Sequence, residues 1–155
     1  GTCCATGKQF QTDEEFFAAL VETDQGFQRR DFCKEYWNEH KPEVYCFWKT
    51  TLPDPDEKKK LLIDDYMLMS FFDRLEEETS QEKINFRFVL TLILMRKKKL
   101  KYESQKKQDA KEVWTLRVAR EKRYTDVINP HLTEDQIEDL SSQVGQIMQL
   151  DIEDE

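Results

Sequence analysis

A run of eight residues, PDPDEKKK at positions 53–60, most constrains how this chain of 155 residues can fold. It holds two prolines, which lack an amide donor and fix φ, and six charged side chains that favour water. No helix or strand continues easily through such a run. We therefore expect a linker at 53–60 between an N-terminal module over residues 1–52 and a larger domain over residues 61–150, with an acidic tail at 151–155.

Three short segments rich in aromatic and branched residues predict an antiparallel β module before this linker. FFAALVE at 16–22 and GFQRRDF at 26–32 flank a turn that ends in Gly26, and YCFWKT at 45–50 supplies a third strand. Glycine tolerates the positive φ that tight hairpin turns require. The first two segments are therefore expected to form a hairpin.

The second domain is predicted to follow the order helix, helix, three strands, helix. The first helix begins at Asp64 or Asp65, and the second, over 84–100, is apolar nearly all round and follows a capping box of Thr79 with Glu82. Strands are expected at 100–104, 113–118 and 124–128, and a closing helix begins at a second capping box formed by Thr133 and Gln136. Together with the β module, this order predicts an α+β fold.

Composition indicates a protein of the cytoplasm without a membrane partner. Charged residues make up 36% of the chain, and its most apolar stretch, 86–95, contains Arg87 and Thr91 and is far shorter than the roughly 18 residues of a membrane span. The four cysteines are an even number, but a chain with enough apolar residues for a core does not require disulfides. We expect reduced thiols, and the sequence leaves the oligomeric state open.

Two cysteine turns resemble halves of a zinc site. A zinc ribbon uses two Cys-x-x-Cys turns, because thiolates at that spacing occupy adjacent tetrahedral positions. Here Thr6 stands at the second-ligand position after Cys3, and Tyr36 stands there after Cys33. We expect a degenerate zinc-ribbon-like module that folds without a cofactor. The alternative is bound zinc on Cys3 and Cys33 with substitute ligands from Cys4, Cys46 and His40.

The chain also resembles an uncharacterised family of small proteins from planctomycete-type bacteria. The resemblance rests on the opening Cys-x-x-Thr-Gly-Lys, on GF-x-RRDFC and FWKT-x-xP, and on INFRFVLTLILMRKKKLKYE with the later INPHLTEDQIE. It covers nearly the whole chain. The resemblance implies a zinc-ribbon-like front end with replaced cysteines and a following helical domain, and it implies no reaction, substrate or partner.

Positive charge is concentrated in residues 96–123, which carry a net +8, whereas the rest of the chain carries −16. Such a run is often only a solvated helix end, where one or two cations meet the negative pole of the helix. The excess predicts a surface for phosphates or an acidic protein. The expected partner-binding residues lie at the helix end and on the loop after it: Arg96, Lys97, Lys98, Lys99, Lys101, Lys106, Lys107 and Lys111.

Catalytic chemistry finds little support. His40 and His131 lie in different segments, and neither has a nucleophile at a spacing typical of a catalytic site. The four glycines do not form a phosphate-binding loop. We therefore expect a non-enzymatic protein-interaction or adaptor module that docks on a larger intracellular complex. The alternative is a nucleic-acid-associated factor of transcription or the ribosome that uses the basic patch at 96–123.

Overall fold

Two antiparallel sheets of three strands each organise the structure, a computed structural model that describes residues 1–52 and 60–148, without the side chains of residues 60–64 and 148. The chain divides into an N-terminal unit, Gly1–Ser70, and a C-terminal unit, Phe71–Glu155. The predicted α+β class is confirmed. The expected linker at 53–60 lies outside the described residues except for Lys60, as does the acidic tail at 151–155.

A central strand, β1, holds the N-terminal sheet together. The described elements of this unit are β1 (Glu15–Thr23), β2 (Gly26–Cys33), α1 (Lys34–His40), β3 (Cys46–Thr51) and the first part of α2 (Lys60–Arg74). β1 pairs antiparallel with β2 on one side and with β3 on the other, so that Phe16 lies opposite both Cys33 and Thr50. Gly26, with φ 106°, closes the expected hairpin. The three strands predicted from the sequence are confirmed.

On one face of this sheet, the side chains at every second position of β1 are buried. Phe16 is 4% exposed, and Ala18 and Leu20 have no exposed surface. The ring of Phe10, from the segment before the sheet, stacks on Phe16 with centroids 4.3 Å apart. Alternate side chains of β1 therefore share one buried face, as the geometry of a strand requires.

The other face is covered by α1, a helix that the sequence did not predict. The Trp37 ring stacks on Phe17 at 4.8 Å and lies 4.9 Å from Phe47 of β3. Lys41 ends the helix with φ 44° and donates its amide hydrogen to the carbonyl of Trp37. Seven residues are too few to show helical periodicity, and a helix this short is marginal by itself. Aromatic packing on the sheet stabilises it.

A buried helix, α3, is central to the C-terminal unit. The unit continues from the end of α2 through α3 (Gln81–Arg96), β4 (Leu100–Gln108), β5 (Lys111–Val118), β6 (Tyr124–Asn129) and α4 (Glu134–Met148). Eight residues of α3, all within positions 86–94, are buried, as its apolar composition predicts. The sheet order is β4-β5-β6, so β5 is central. No helix in the described parts of the chain is long and apolar enough to cross a membrane.

β4 is longer than the sequence predicted. The expected strand ended at Ser104 and left Lys106, Lys107 and Lys111 on a loop, but β4 continues to Gln108 and Lys111 begins β5. Every residue of β4 after the first is exposed. An exposed strand has no alternation of apolar and polar residues, so only its backbone pairing with β5 identifies it.

The three helix starts differ in how well they were predicted. α2 begins at Lys60, four or five residues before the expected start at Asp64 or Asp65. The N-cap of α3 is Ser80, whose hydroxyl accepts a hydrogen bond from the Lys83 amide, so the expected box with Thr79 as N-cap is wrong by one residue. At α4, the amide of Gln136 donates to the Thr133 hydroxyl at 3.1 Å, and the amide of Thr133 donates to the Gln136 side chain at 2.8 Å. This reciprocal pair confirms the second capping box.

Candidate functional site

The first cysteine turn brings Cys3 and Cys33 to one threonine. The amide of Gly7, with φ 77°, donates to the Cys3 carbonyl at 2.9 Å and closes the turn. The amide of Thr6 donates to the Cys3 sulfur at 3.4 Å, while the Thr6 hydroxyl lies 3.8 Å from the Cys33 sulfur. The structure therefore brings together two of the three candidate metal ligands, which we call the thiol pair.

Hydrogen bonds aimed at sulfur change the acidity of this turn. Burial raises the pKa of Cys3, but the Thr6 hydroxyl and the backbone amides of Cys33, Thr6 and Ala5 together lower it to about 7. Partial desolvation, together with the negative charge of a neighbouring Cys3 thiolate, raises the pKa of Cys4. The turn therefore stabilises one thiolate, on the buried sulfur.

Cys46 lies apart from the thiol pair. It pairs with Leu20, whereas Cys33 pairs with a residue four positions earlier in β1, which separates them by about 13 Å along the strand. His40 stacks on the Tyr36 ring at 4.2 Å. The described residues contain no group of three potential metal ligands. The thiol pair supplies two of the four ligands of structural zinc, and folding without zinc stays a prediction.

Five of the eight cations predicted to bind a partner lie at the end of α3, on the turn after it and at the start of β4. The amide of Ala119 donates to the Lys99 carbonyl at 2.9 Å, which ties the turn between β5 and β6 to the turn between α3 and β4. Lys97 caps α3 and Lys98 adopts φ 63° within the latter turn. We define the basic turn surface as the exposed cations on these turns and the adjoining strand ends: Arg96, Lys98, Lys101, Arg117, Arg120 and Lys122.

Most of these cations have no carboxylate partner. Arg117 contacts Glu103 at 3.5 Å. The nearby Arg123 contacts Asp73 at 3.2 Å and Glu121 at 3.3 Å. Within the described parts of the chain, no ion pair forms at the five remaining members of the surface: Arg96, Lys98, Lys101, Arg120 and Lys122.

The other predicted partner-binding residues form a second group at the tip of the β4–β5 hairpin. Lys106 lies five residues beyond Lys101 on β4, or about 16 Å along the strand. Lys107 follows it, and Lys111 stands across the hairpin turn. Lys106 also contacts Asp126 at 3.4 Å. What the sequence predicted as one patch is therefore two separate groups of cations.

An aromatic side chain adjoins the basic turn surface through strand pairing. Arg117 of β5 lies opposite Lys101 of β4 and opposite Tyr124 of β6. The side chain of Tyr124 is 61% exposed. Tyr124 is not among the partner-binding residues predicted from the sequence, because 23 positions separate it from Lys101 and only the strand register places the two in one row.

No family model, curated protein or solved structure matches this chain in comparisons with known proteins. The resemblance to a planctomycete-type family stays a prediction. Function has to be inferred from the thiol pair and the basic turn surface themselves.

Proposed function

We propose that this protein is a non-enzymatic interaction module of the cytoplasm that docks on an acidic partner protein through the basic turn surface. The hydrogen bond from Ala119 to Lys99 supports this proposal most directly. It holds two turns together and so concentrates at one end of the sheet five cations that form no ion pair with any residue that the structure describes.

The number of cations exceeds what local stability requires. A helix end gains about 0.3–1 kcal/mol from each of one or two cations in its last turn, and α3 already has Arg96 there. Exposed cations repel one another, and each added cation raises the electrostatic free energy of that repulsion. A surface of this kind instead attracts and orients an oppositely charged partner.

An acidic protein suits the whole chain better than a nucleic acid. Outside residues 96–123 the chain carries a net −16, which repels a long polyanion. A protein can present a compact acidic patch to the basic turn surface and keep the rest of its surface away from that charge. Partner recognition would then depend on salt, because exposed charges are screened over about 8–10 Å.

Charge reversal at two sites of equal charge tests the proposal. Lys98→Glu with Lys122→Glu changes the basic turn surface, and Lys107→Glu with Lys111→Glu makes the same charge change at the hairpin tip. We expect the first variant to lose salt-sensitive capture of its partner from native extract, and the second to keep it. Equal capture by both variants, or loss only with the hairpin-tip variant, contradicts the proposal.

The second candidate function is binding of single-stranded nucleic acid, and the exposed Tyr124 ring beside Arg117 favours it. Bases stack on aromatic rings at about 1–3 kcal/mol each, next to cations that hold phosphates. Nuclease treatment separates the two candidates, because capture through nucleic acid is abolished and capture of a protein survives. Tyr124→Ala should weaken only nucleic-acid binding.

A further inference from the structure

Among the described residues, Arg87 is the only charged side chain that is buried, with 6% of its surface exposed. Its guanidinium donates to the Phe72 carbonyl at 3.1 Å, to the Asp126 carbonyl at 2.7 Å and to the Thr125 hydroxyl at 3.0 Å. It also lies over the Phe72 ring, 4.2 Å from the centroid. All of these contacts are with neutral groups.

The guanidinium has no carboxylate in ion-pair contact within the parts of the chain that the structure describes. A guanidinium has five N–H donors, and the three hydrogen bonds leave two of them for another acceptor. Burial lowers the pKa of Arg87, against the longer-range attraction of Glu76, Asp73 and Asp126. A buried cation without a contacting counter-ion is costly, so an anion that reached Arg87 would be strongly favoured.

Arg87 lines a cavity of about 330 Å³ within the C-terminal unit. This volume lies at the small end of the roughly 300–1,000 Å³ of typical ligand pockets. Part of the wall is aliphatic and is formed by Leu75, Ile84, Val113, Val127 and Ile128. The cavity therefore offers a buried cation and an apolar surface to one small molecule.

Carboxylates on the same wall restrict the charge of that molecule. Glu76, Asp109 and Lys111 line the cavity, and none of the three forms an ion pair within the described residues. By contrast, Glu78 contacts Lys83 at 2.9 Å and Asp126 contacts Lys106 at 3.4 Å. The wall therefore presents two cations, Arg87 and Lys111, and two acids, Glu76 and Asp109. A simple anion would leave the acids without a cation of the ligand, whereas a molecule that also carries an ammonium group complements both signs of charge.

We propose that this cavity binds a free α-amino acid with an aliphatic side chain. The carboxylate of the amino acid accepts hydrogen bonds from Arg87, its ammonium group lies between Glu76 and Asp109, and its side chain packs against the aliphatic wall. A guanidinium and a carboxylate match in shape and charge, which makes their hydrogen bonds strong. This site does not depend on the function of the basic turn surface.

Calorimetry on the full chain with three related compounds tests each part of this site. L-leucine carries both charges, 4-methylpentanoate lacks the ammonium group, and 3-methylbutylamine lacks the carboxylate. We expect saturable binding of L-leucine and at least about tenfold weaker binding of each of the other two, which corresponds to about 1.4 kcal/mol. Absence of leucine binding at millimolar concentration overturns the proposal, and so does equal binding of either analogue.

Substitutions of the two unpaired acids test the site without disturbing the fold, because both side chains are exposed. Glu76→Gln and Asp109→Asn change exposed positions, and asparagine suits the positive φ of Asp109. Each should weaken leucine binding severalfold, while Glu77→Gln, an exposed neighbour outside the cavity, should not. Equal weakening by the Glu77 variant contradicts the assignment. Arg87→Lys keeps the positive charge but removes the planar guanidinium with its paired N–H donors. In folded protein, this variant should bind leucine more weakly.

Discussion

The two sheets have the same number of strands and the same antiparallel order, yet they differ in how far their strands are buried. The central strand of the N-terminal sheet, β1, has three consecutive buried residues, Ala18, Ala19 and Leu20, because both of its faces are covered. The edge strand of the C-terminal sheet, β4, is exposed at every residue after Leu100. The N-terminal sheet therefore buries its central strand on both faces, whereas the C-terminal sheet leaves an edge strand in solvent.

This difference separates stability from availability for binding. A strand that is buried on both faces contributes to the free energy of unfolding through the apolar area that it removes from water. An exposed edge strand contributes little of that kind, and its lysines discourage pairing with other strands. Substitutions in β1 should therefore act on folding, and substitutions in β4 should act on binding.

The largest expected effect is that of Leu20→Ala in β1. Removal of a fully buried leucine side chain leaves a cavity, and it should lower the free energy of unfolding by about 2–5 kcal/mol. The matched change in β4, Gln105→Ala, should alter it by less than about 0.5 kcal/mol, because Gln105 is exposed. Urea denaturation of both variants measures the difference. Similar losses in the two strands would contradict the contrast between the sheets.

The next largest expected effect is a dependence of the free energy of unfolding on pH, caused by Cys3 in the turn that joins the thiol pair. The pKa of Cys3 in the folded protein is about 7, below the value of about 8.5 for a free thiol. Because the folded pKa is the lower one, stability should rise from pH 7 towards pH 9, by about 2 kcal/mol at most, and should be lost as the pH falls through 7. Urea titrations across this range, in a Cys4→Ser background, measure the rise.

Thr6→Ala sharpens this test, because it removes the hydroxyl that lowers the pKa of Cys3. The ultraviolet absorbance of the thiolate should then titrate at a higher pH, and the gain in stability between pH 7 and 9 should shrink. A control at Thr2, which forms no hydrogen bond with either sulfur among the described residues, should leave both unchanged. An unchanged titration in Thr6→Ala would show that the hydroxyl does not hold the thiolate.

The smallest effect lies at the tip of the β4–β5 hairpin. Its two turn residues, Asp109 and Ala110, have φ of 53° and 66°, and alanine is strained in this region. Ala110→Gly should raise the free energy of unfolding by about 0.5–1 kcal/mol, as measured by thermal or urea denaturation. Ala119→Gly, at a residue without positive φ, should give no gain. A loss of stability in Ala110→Gly would contradict the strain.

Local patterns predicted most elements because each depends on neighbouring residues. The aromatic and branched residues of the segment 16–22 and the capping box of Thr133 with Gln136 are visible in the sequence. Two elements were not predicted from the sequence. α1 is too short to have a period and depends on stacking against the sheet, and the outer half of β4 is recognisable only by its pairing with β5. Where the sequence predicted one basic patch, pairing separated it into two groups.

The sequence by itself determined the α+β order, the apolar central helix and the concentration of cations in residues 96–123. Only the tertiary structure joined Lys99 to Ala119, brought Cys33 to the turn of Cys3, and buried Arg87 beside a cavity. The physical reason is range. Periodicity and capping act within a few residues, whereas these contacts depend on register and packing between segments that are distant in the chain.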